Sequence, residues 1–355
     1  MKNRILLLRL DAIGDFVLFT SVLPYLRKRF EGAFISLAVH PLVAPLAEGF
    51  SYVDEVWSID PQRYAADLGY AQEIAVKLNG NVDVAINTMY TRTAVSDNVI
   101  ARTHAPVKIG YECIDKDGEE QRRQREQVLY THLIETSKEW MFEIDRHRTL
   151  LDYLGIDSLG LQLKPELWIQ AEEQKAVEDF VKSKLSKNPK FVVMSVGGGF
   201  PIKLWSPDSF ARVADLLVEK FGLQVLLGGT VQEKTIVESV MSRMRNAAVD
   251  VTGIFGIRQF VSLIDRSVLF FGNDTAGFHI AWSLGRPAVG IFGGGHFGRF
   301  TPSLPHVRVV HVPMDCYNCY WHCIYDEVKC ITSITPEMVM AEVEQVLNLE
   351  SVARK

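Results

Sequence analysis

The chain has 355 residues, a net charge of −5, 48% hydrophobic and 23% charged residues, a globular composition without the basic excess that nucleic-acid binding requires. That length exceeds an ordinary single core and predicts two domains. No run approaches the roughly 18 uncharged apolar residues of a spanning helix, and the opening apolar run, broken by Arg9 and Asp11, is too short for a signal peptide. The expected compartment is the cytoplasm, with any membrane contact peripheral and at the inner face.

In chain order, strand-like runs occur at Ile5–Leu8, Phe34–Val39, Val82–Ile86, Phe191–Ser195, Val225–Gly228, Val268–Phe271 and Ala288–Phe292, with helical patterns between them. Such alternation predicts parallel sheets with right-handed helical crossovers, an α/β fold. A helical pattern from Trp140 to Leu154 closes on Gly155. The extended stretch Leu161–Gln170 follows, and Pro165 marks the boundary between domains 1–164 and 165–355. The polar run Asp115–Gln127 has too few apolar residues to bury and reads either as a mobile loop or as a solvated helix face. The last helix opens at Ile334-Thr-Pro-Glu, with Thr335 as N-cap and Pro336 in the first position, and is expected to return across the domain interface.

The first segment with chemistry is Arg9-Leu-Asp-Ala-Ile-Gly-Asp15, a strand-to-helix turn. Gly14 lets the backbone approach a ligand, and Asp15 at the helix start either caps it or carries an ionised carboxylate for catalysis. The second half opens with Gly197-Gly-Gly199, whose amides can face an anion, and with Lys203, whose charge can meet a phosphate; an ordinary turn with an exposed lysine is the alternative. Ser206 or Asp208 caps the next helix. Glu233 follows another strand, where it either accepts ribose hydroxyls or sits on a helix surface.

Gly272-Asn-Asp274-Thr275-Ala276-Gly277-Phe-His279 lies at the carboxyl end of a strand, where open parallel sheets bind ligands, and aims the next helix at a diphosphate. Asp274 repels phosphate, so its expected work is to orient Lys203 or fix the loop. His279 reads as an interior histidine or a catalytic one. The glycine-rich run Phe292–Arg299 is either a loop that closes over a ligand or a passive crossover.

Taken together these motifs resemble the ADP-heptose:lipopolysaccharide heptosyltransferases, glycosyltransferase family 9. The resemblance rests on Arg9–Asp15, Lys203-Leu-Trp-Ser-Pro-Asp-Ser-Phe210 and Gly272–His279, with Ile334–Glu337 as a weaker match. It implies the GT-B fold, two Rossmann-like doubly wound domains facing a cleft. It further implies an inverting transfer of a heptose or related sugar from an ADP-sugar to a lipopolysaccharide-core or similar glycan acceptor.

Asp15 would be the general base, and Lys203 with the amides around Thr275 would stabilise the leaving diphosphate, so that no divalent metal is needed for the step. Gly197, Gly198, Glu233, Asp274, Thr275, Ala276, Gly277 and His279 would complete the donor site. The first domain would bind the acceptor through Asp11, Gly14 and Arg92; Arg92, Arg102 and Lys108 either engage acceptor phosphate or carboxylate groups or are solvated surface charges, the latter being the leading reading. The sequence departs from the family pattern at Ala276, at Gly197–Gly199 and at Phe292–Arg299, which leaves a related hexose donor or a protein acceptor as alternatives.

Cys316, Cys319, Cys323 and Cys330 place four thiols in one short segment, a donor set suited to structural zinc or iron, with free thiols or oxidised pairs as the alternative. Cys113 reads as a small apolar residue. Two further readings stay open: a nucleotide-sugar epimerase or hydrolase, and a non-catalytic metal-stapled protein. A dinucleotide-dependent dehydrogenase is disfavoured because the first turn lacks the three-glycine fingerprint.

Overall fold

The computed structural model describes residues 3–80, 82–112, 128–135, 141–186 and 189–353. The run Asp115–Gln127, Cys113 and Trp140 lie outside them. Backbone contacts divide the chain into two compact units, Met1–Trp168 and Ile169–Lys355.

The first unit holds β1 (Arg4–Arg9), β2 (Phe34–Val39), β3 (Glu55–Ser58), β4 (Val84–Asn87), β5 (Val107–Tyr111) and β6 (His132–Ile134) in one sheet, ordered β3-β2-β1-β4-β5-β6. The second holds β7 (Phe191–Ser195), β8 (Gln224–Leu227), β9 (Ala248–Asp250), β10 (Leu269–Asn273), β11 (Ala288–Ile291) and β12 (Val307–Val310), ordered β12-β11-β10-β7-β8-β9. Every pairing is parallel. Counted from its own first strand, each sheet runs 3-2-1-4-5-6, the doubly wound order, so each unit has one switch point: between β1 and β4, and between β7 and β10.

The central strands fold as they do because they are buried on both faces: Ile5–Leu8, Val192–Met194 and Leu269–Phe271 are fully or almost fully enclosed. The second core gathers around Trp205, whose ring meets Phe210 and Phe271 edge-on and whose indole N–H donates to the Ile334 carbonyl at 2.9 Å. That bond ties the turn after Lys203 to the start of the last helix. Ser206 caps the helix Pro207–Phe221 by accepting from the Ser209 amide, and Gly222 ends it in the left-handed conformation. The Thr335 hydroxyl accepts from the Met338 amide at 3.3 Å, the expected cap of the helix Pro336–Ala353. This helix packs on the helix Pro207–Phe221 and on β11 and β12, within its own unit.

Candidate functional site

The candidate residues collect at the two switch points, one in each unit. In the first, β1 delivers Arg9 into the interior with its side chain wholly enclosed. Its Nε donates to Asp11 Oδ1 at 3.0 Å, its Nη1 to the Thr88 carbonyl at 2.8 Å, and its Nη2 to Glu143 Oε1 at 3.5 Å. The same Nη2 stands 3.9 Å from Asp15 Oδ1. Burial alone would lower the Arg9 pKa, but Asp11, Glu143 and Asp15 outweigh it and hold it above the ordinary value. His147 Nε2 lies 3.3 Å from Arg9 Nη1. A guanidinium only donates, so this nitrogen accepts and His147 carries its proton on Nδ1.

Asp15 is therefore not the helix cap. The N-cap of the helix Ile13–Phe19 is Ala12, and Asp15 falls in the first turn, about a fifth exposed, with a fixed cation behind it. Gly14 beside it is buried. Asp11 bends back onto Arg9.

Arg92 departs from its surface reading. Its side chain is fully enclosed, 3.8 Å from Asp97 and 4.5 Å above the Tyr130 ring, because a carboxylate and an aromatic face together compensate the buried charge. Sequence reasoning missed Glu143, whose side chain is 1% exposed at the first position of the helix Glu143–Tyr153. The available signal was an arginine ending an apolar strand, which needs a buried anion.

In the second unit, Lys203 Nζ pairs with Asp274 Oδ2 at 3.0 Å, both side chains mostly buried. Asp274 Oδ1 faces His279 Nε2 at 3.6 Å, while His279 Nδ1 accepts from the Trp282 indole at 3.3 Å. With Nδ1 accepting, His279 Nε2 carries a proton and points it toward Asp274. Burial pushes the Asp274 pKa up, but the His279 N–H and the Lys203 charge hold it below the usual carboxylate range. His279 is buried and positions Asp274.

Thr275 is the N-cap of the helix Ala276–Ser283, yet its side chain makes no cap bond and its buried hydroxyl has no hydrogen-bond partner among the described residues. Ala276 and Gly277 occupy the first two helical positions, where backbone amides lack intrahelical acceptors. Gly277 is glycine for packing, since a Cβ there would stand 2.6 Å from the Phe270 ring.

Asn273, fully buried, locks the site: its Nδ2 donates to the Val196 and Gly197 carbonyls at 2.9 and 3.1 Å, and its Oδ1 accepts from the Trp205 amide at 3.2 Å. This one side chain joins the glycine run after β7 to the Lys203 turn. Gly198 lies beside Leu204 and the Thr275 methyl, and Gly197 leaves room for Glu233, whose carboxylate a Cβ would strike. Glu233 Oε2 accepts from the Thr230 amide and hydroxyl at 2.7 and 3.0 Å, so half of its carboxylate serves a capping box.

The run Phe292–Arg299 is neither a free lid nor a bare crossover. Gly294 and Gly295 are buried against Tyr317 and Trp321 of the cysteine-rich segment. His296, which sequence reasoning did not single out, is held neutral near this site, its pKa lowered to about 4 by burial and by the Arg299 and Lys203 charges.

Cys316, Cys319 and Cys323 are half-buried and Cys330 is buried, all as free thiols. Burial raises the Cys330 pKa, and Cys316, Cys319 and Cys323 add to the rise, so the four sulfurs are electrostatic neighbours. Among the described residues, however, no three His, Cys, Asp or Glu side chains come together as a metal-holding set.

Residues 76–328 match the model of glycosyltransferase family 9 (heptosyltransferase). Lipopolysaccharide heptosyltransferase 2 of Salmonella typhimurium is 23% identical over 98% of this chain and 100% of its own. The glycosyl transferase family 9 structure from Veillonella parvula superposes with a TM-score of 0.83 at 21% identity, covering 98% of both chains. A more distant likeness, at a TM-score of 0.53 and 13% identity over 98% of this chain and 77% of the other, is the iron-containing dodecameric glycosyltransferase TibC from Escherichia coli.

Proposed function

Since the chain belongs to glycosyltransferase family 9, we propose that it is an inverting transferase moving a heptose or related sugar from an ADP-sugar to a lipopolysaccharide-core or similar glycan. The observation that carries this reading is the Lys203–Asp274–His279 chain at the β7–β10 switch point, next to the Thr275 hydroxyl, which has no hydrogen-bond partner among the described residues. A mostly buried lysine, a hydroxyl donor and a helix start suit a diphosphate leaving group. Asp274 holds the lysine in place, and His279 holds Asp274.

In the reaction so proposed, the acceptor oxygen forms its bond to the anomeric carbon as the bond from that carbon to the diphosphate oxygen breaks. Asp15 takes the acceptor proton, and the electron pair leaves with ADP. Lys203, Thr275 and the amides of Ala276 and Gly277 receive the developing negative charge. Asp11 and the backbone at Gly14 border the acceptor, while enclosed Arg92 shapes that region through Asp97 and Tyr130. The domains assigned as acceptor-binding and donor-binding are 1–164 and 165–355. Work at the cytoplasmic face of the inner membrane fits a lipid-linked acceptor; among the described residues no helix is long and apolar enough to cross a membrane.

The test is incubation with a heptose-deficient lipopolysaccharide and, separately, ADP-heptose, ADP-hexose, UDP-sugar and GDP-sugar donors, with product mass as the readout. Addition of one sugar from ADP donors alone supports the proposal. Transfer from UDP or GDP donors, or none from any, rejects it.

A second reading concerns the cysteines. Their soft donors suit structural zinc or iron, and the Gly294 amide already points at Cys330 Sγ at 3.4 Å. Cys316, Cys319, Cys323 and Cys330 would hold the ion, which would supply structural closure of the segment. Elemental analysis giving about one zinc or iron per chain supports this; a value well below that rejects it.

A further inference from the structure

The cysteine-rich segment does more than follow the donor site in sequence. It is stitched to the glycine run after β11: the Asn318 amide donates to the Gly294 carbonyl at 2.6 Å and the Tyr320 amide to the Gly295 carbonyl at 3.0 Å. The glycines are required by this contact, because a Cβ at Gly293 or Gly295 would strike the Trp321 indole. Trp321 itself sits at φ 66°, in the left-handed region that a bulky residue occupies only when its surroundings insist.

The purpose of holding Trp321 there is visible in its other neighbours. Its indole N–H donates to His296 Nδ1 at 3.2 Å, which fixes the ring plane. Its face meets Lys203 Nζ at 5.0 Å, with the Phe200 ring 5.7 Å away and Asp274 at 3.0 Å. The ammonium is therefore bounded by one carboxylate and two aromatic rings. A flexible four-carbon stem would otherwise sample many positions, and an ammonium over an indole face is the strongest of the aromatic pairings.

We propose that Trp321 is a positioning residue for Lys203, which it holds by cation–π contact at the angle needed to meet the diphosphate of a nucleotide. The cysteine-rich segment is thereby a working wall of the donor site. This rests on the reading that Lys203 contacts the diphosphate, and the experiment separates the two.

ADP is titrated calorimetrically into the full chain, its Trp321→Leu, Trp321→Phe and Lys203→Ala variants, and the Trp321→Leu/Lys203→Ala double variant. Trp321→Leu is expected to weaken ADP binding about tenfold, and Trp321→Phe, which keeps a ring, by only about threefold. In the Lys203→Ala background Trp321→Leu should add nothing. An equal loss in both backgrounds, or no loss in either, overturns the proposal.

Competitive acetylation of Lys203, followed by mass spectrometry without nucleotide, reads the contact independently. Trp321→Leu should raise Lys203 reactivity several-fold, and unchanged reactivity overturns the contact. If the reactivity rises but the wild type binds no ADP, the positioning contact stands and the donor-site reading fails.

Discussion

Replacing Arg9 by Met tests whether the cation behind Asp15 is the keystone of the first switch point. The substitution keeps length and apolar stem but removes a fully enclosed charge that serves Asp11, Glu143 and the Thr88 carbonyl. Glu143, 1% exposed, then keeps Arg146 at 3.7 Å as an ion partner. Breaking one member of a buried pair costs about 3–5 kcal/mol, and the residual Arg146 contact places this case toward about 3 kcal/mol. Replacing both members by apolar residues is often neutral, so Arg9→Met combined with Glu143→Leu should regain most of the loss. Native-state hydrogen exchange of the β1 and β4 amides measures this opening energy without requiring the two units to unfold together. A loss below about 1 kcal/mol for Arg9→Met, or a double variant as damaged as the sum of its parts, rules out that role for Arg9.

Asn273→Ala should release the glycine run from the Lys203 turn and weaken ADP binding by roughly tenfold, because three buried polar groups lose their partner; calorimetry with wild-type affinity would contradict it. Asp215 is buried and accepts from the Arg245 and Asn246 amides at 3.0 and 2.9 Å. Burial pushes its pKa up, but those amides hold it below the usual range. Its stabilisation is thus present above about pH 4 and lost as pH falls through the lower native value. Asp215→Ala should cost about 2 kcal/mol and several degrees of melting temperature at pH 7, with the gap to wild type closing on acidification toward pH 3. A gap that widens on acidification reverses the sign and refutes it.

The parts legible in the sequence were those where one residue type answers to one physical need. Ile5–Leu8, Val192–Met194 and Leu269–Phe271 are apolar because both faces are covered, so the central strands announce themselves. The strands β3, β5, β6, β9 and β12 do not, since they are short and part-exposed, as Glu55–Ser58 and Ala248–Asp250 show. The Lys203–Asp274 pair was readable from two charges at strand ends. Arg9 with Glu143, and Lys203 with Trp321, were not, because a partner more than a hundred residues away leaves no local pattern. Gly277 marks the limit from the other side: its position suggested phosphate contact, while its missing Cβ serves the Phe270 ring.

In the proposed transfer Asp15 and Lys203 divide the labour, and heptose transfer from ADP-heptose, measured alongside ADP affinity in Asp15→Asn and Lys203→Ala, checks that division. Asp15→Asn should keep wild-type ADP affinity and lose turnover by about 10²–10⁴-fold, the worth of a positioned general base, while Lys203→Ala should lose ADP affinity. Turnover that survives in Asp15→Asn, or unchanged ADP binding in Lys203→Ala, would contradict it.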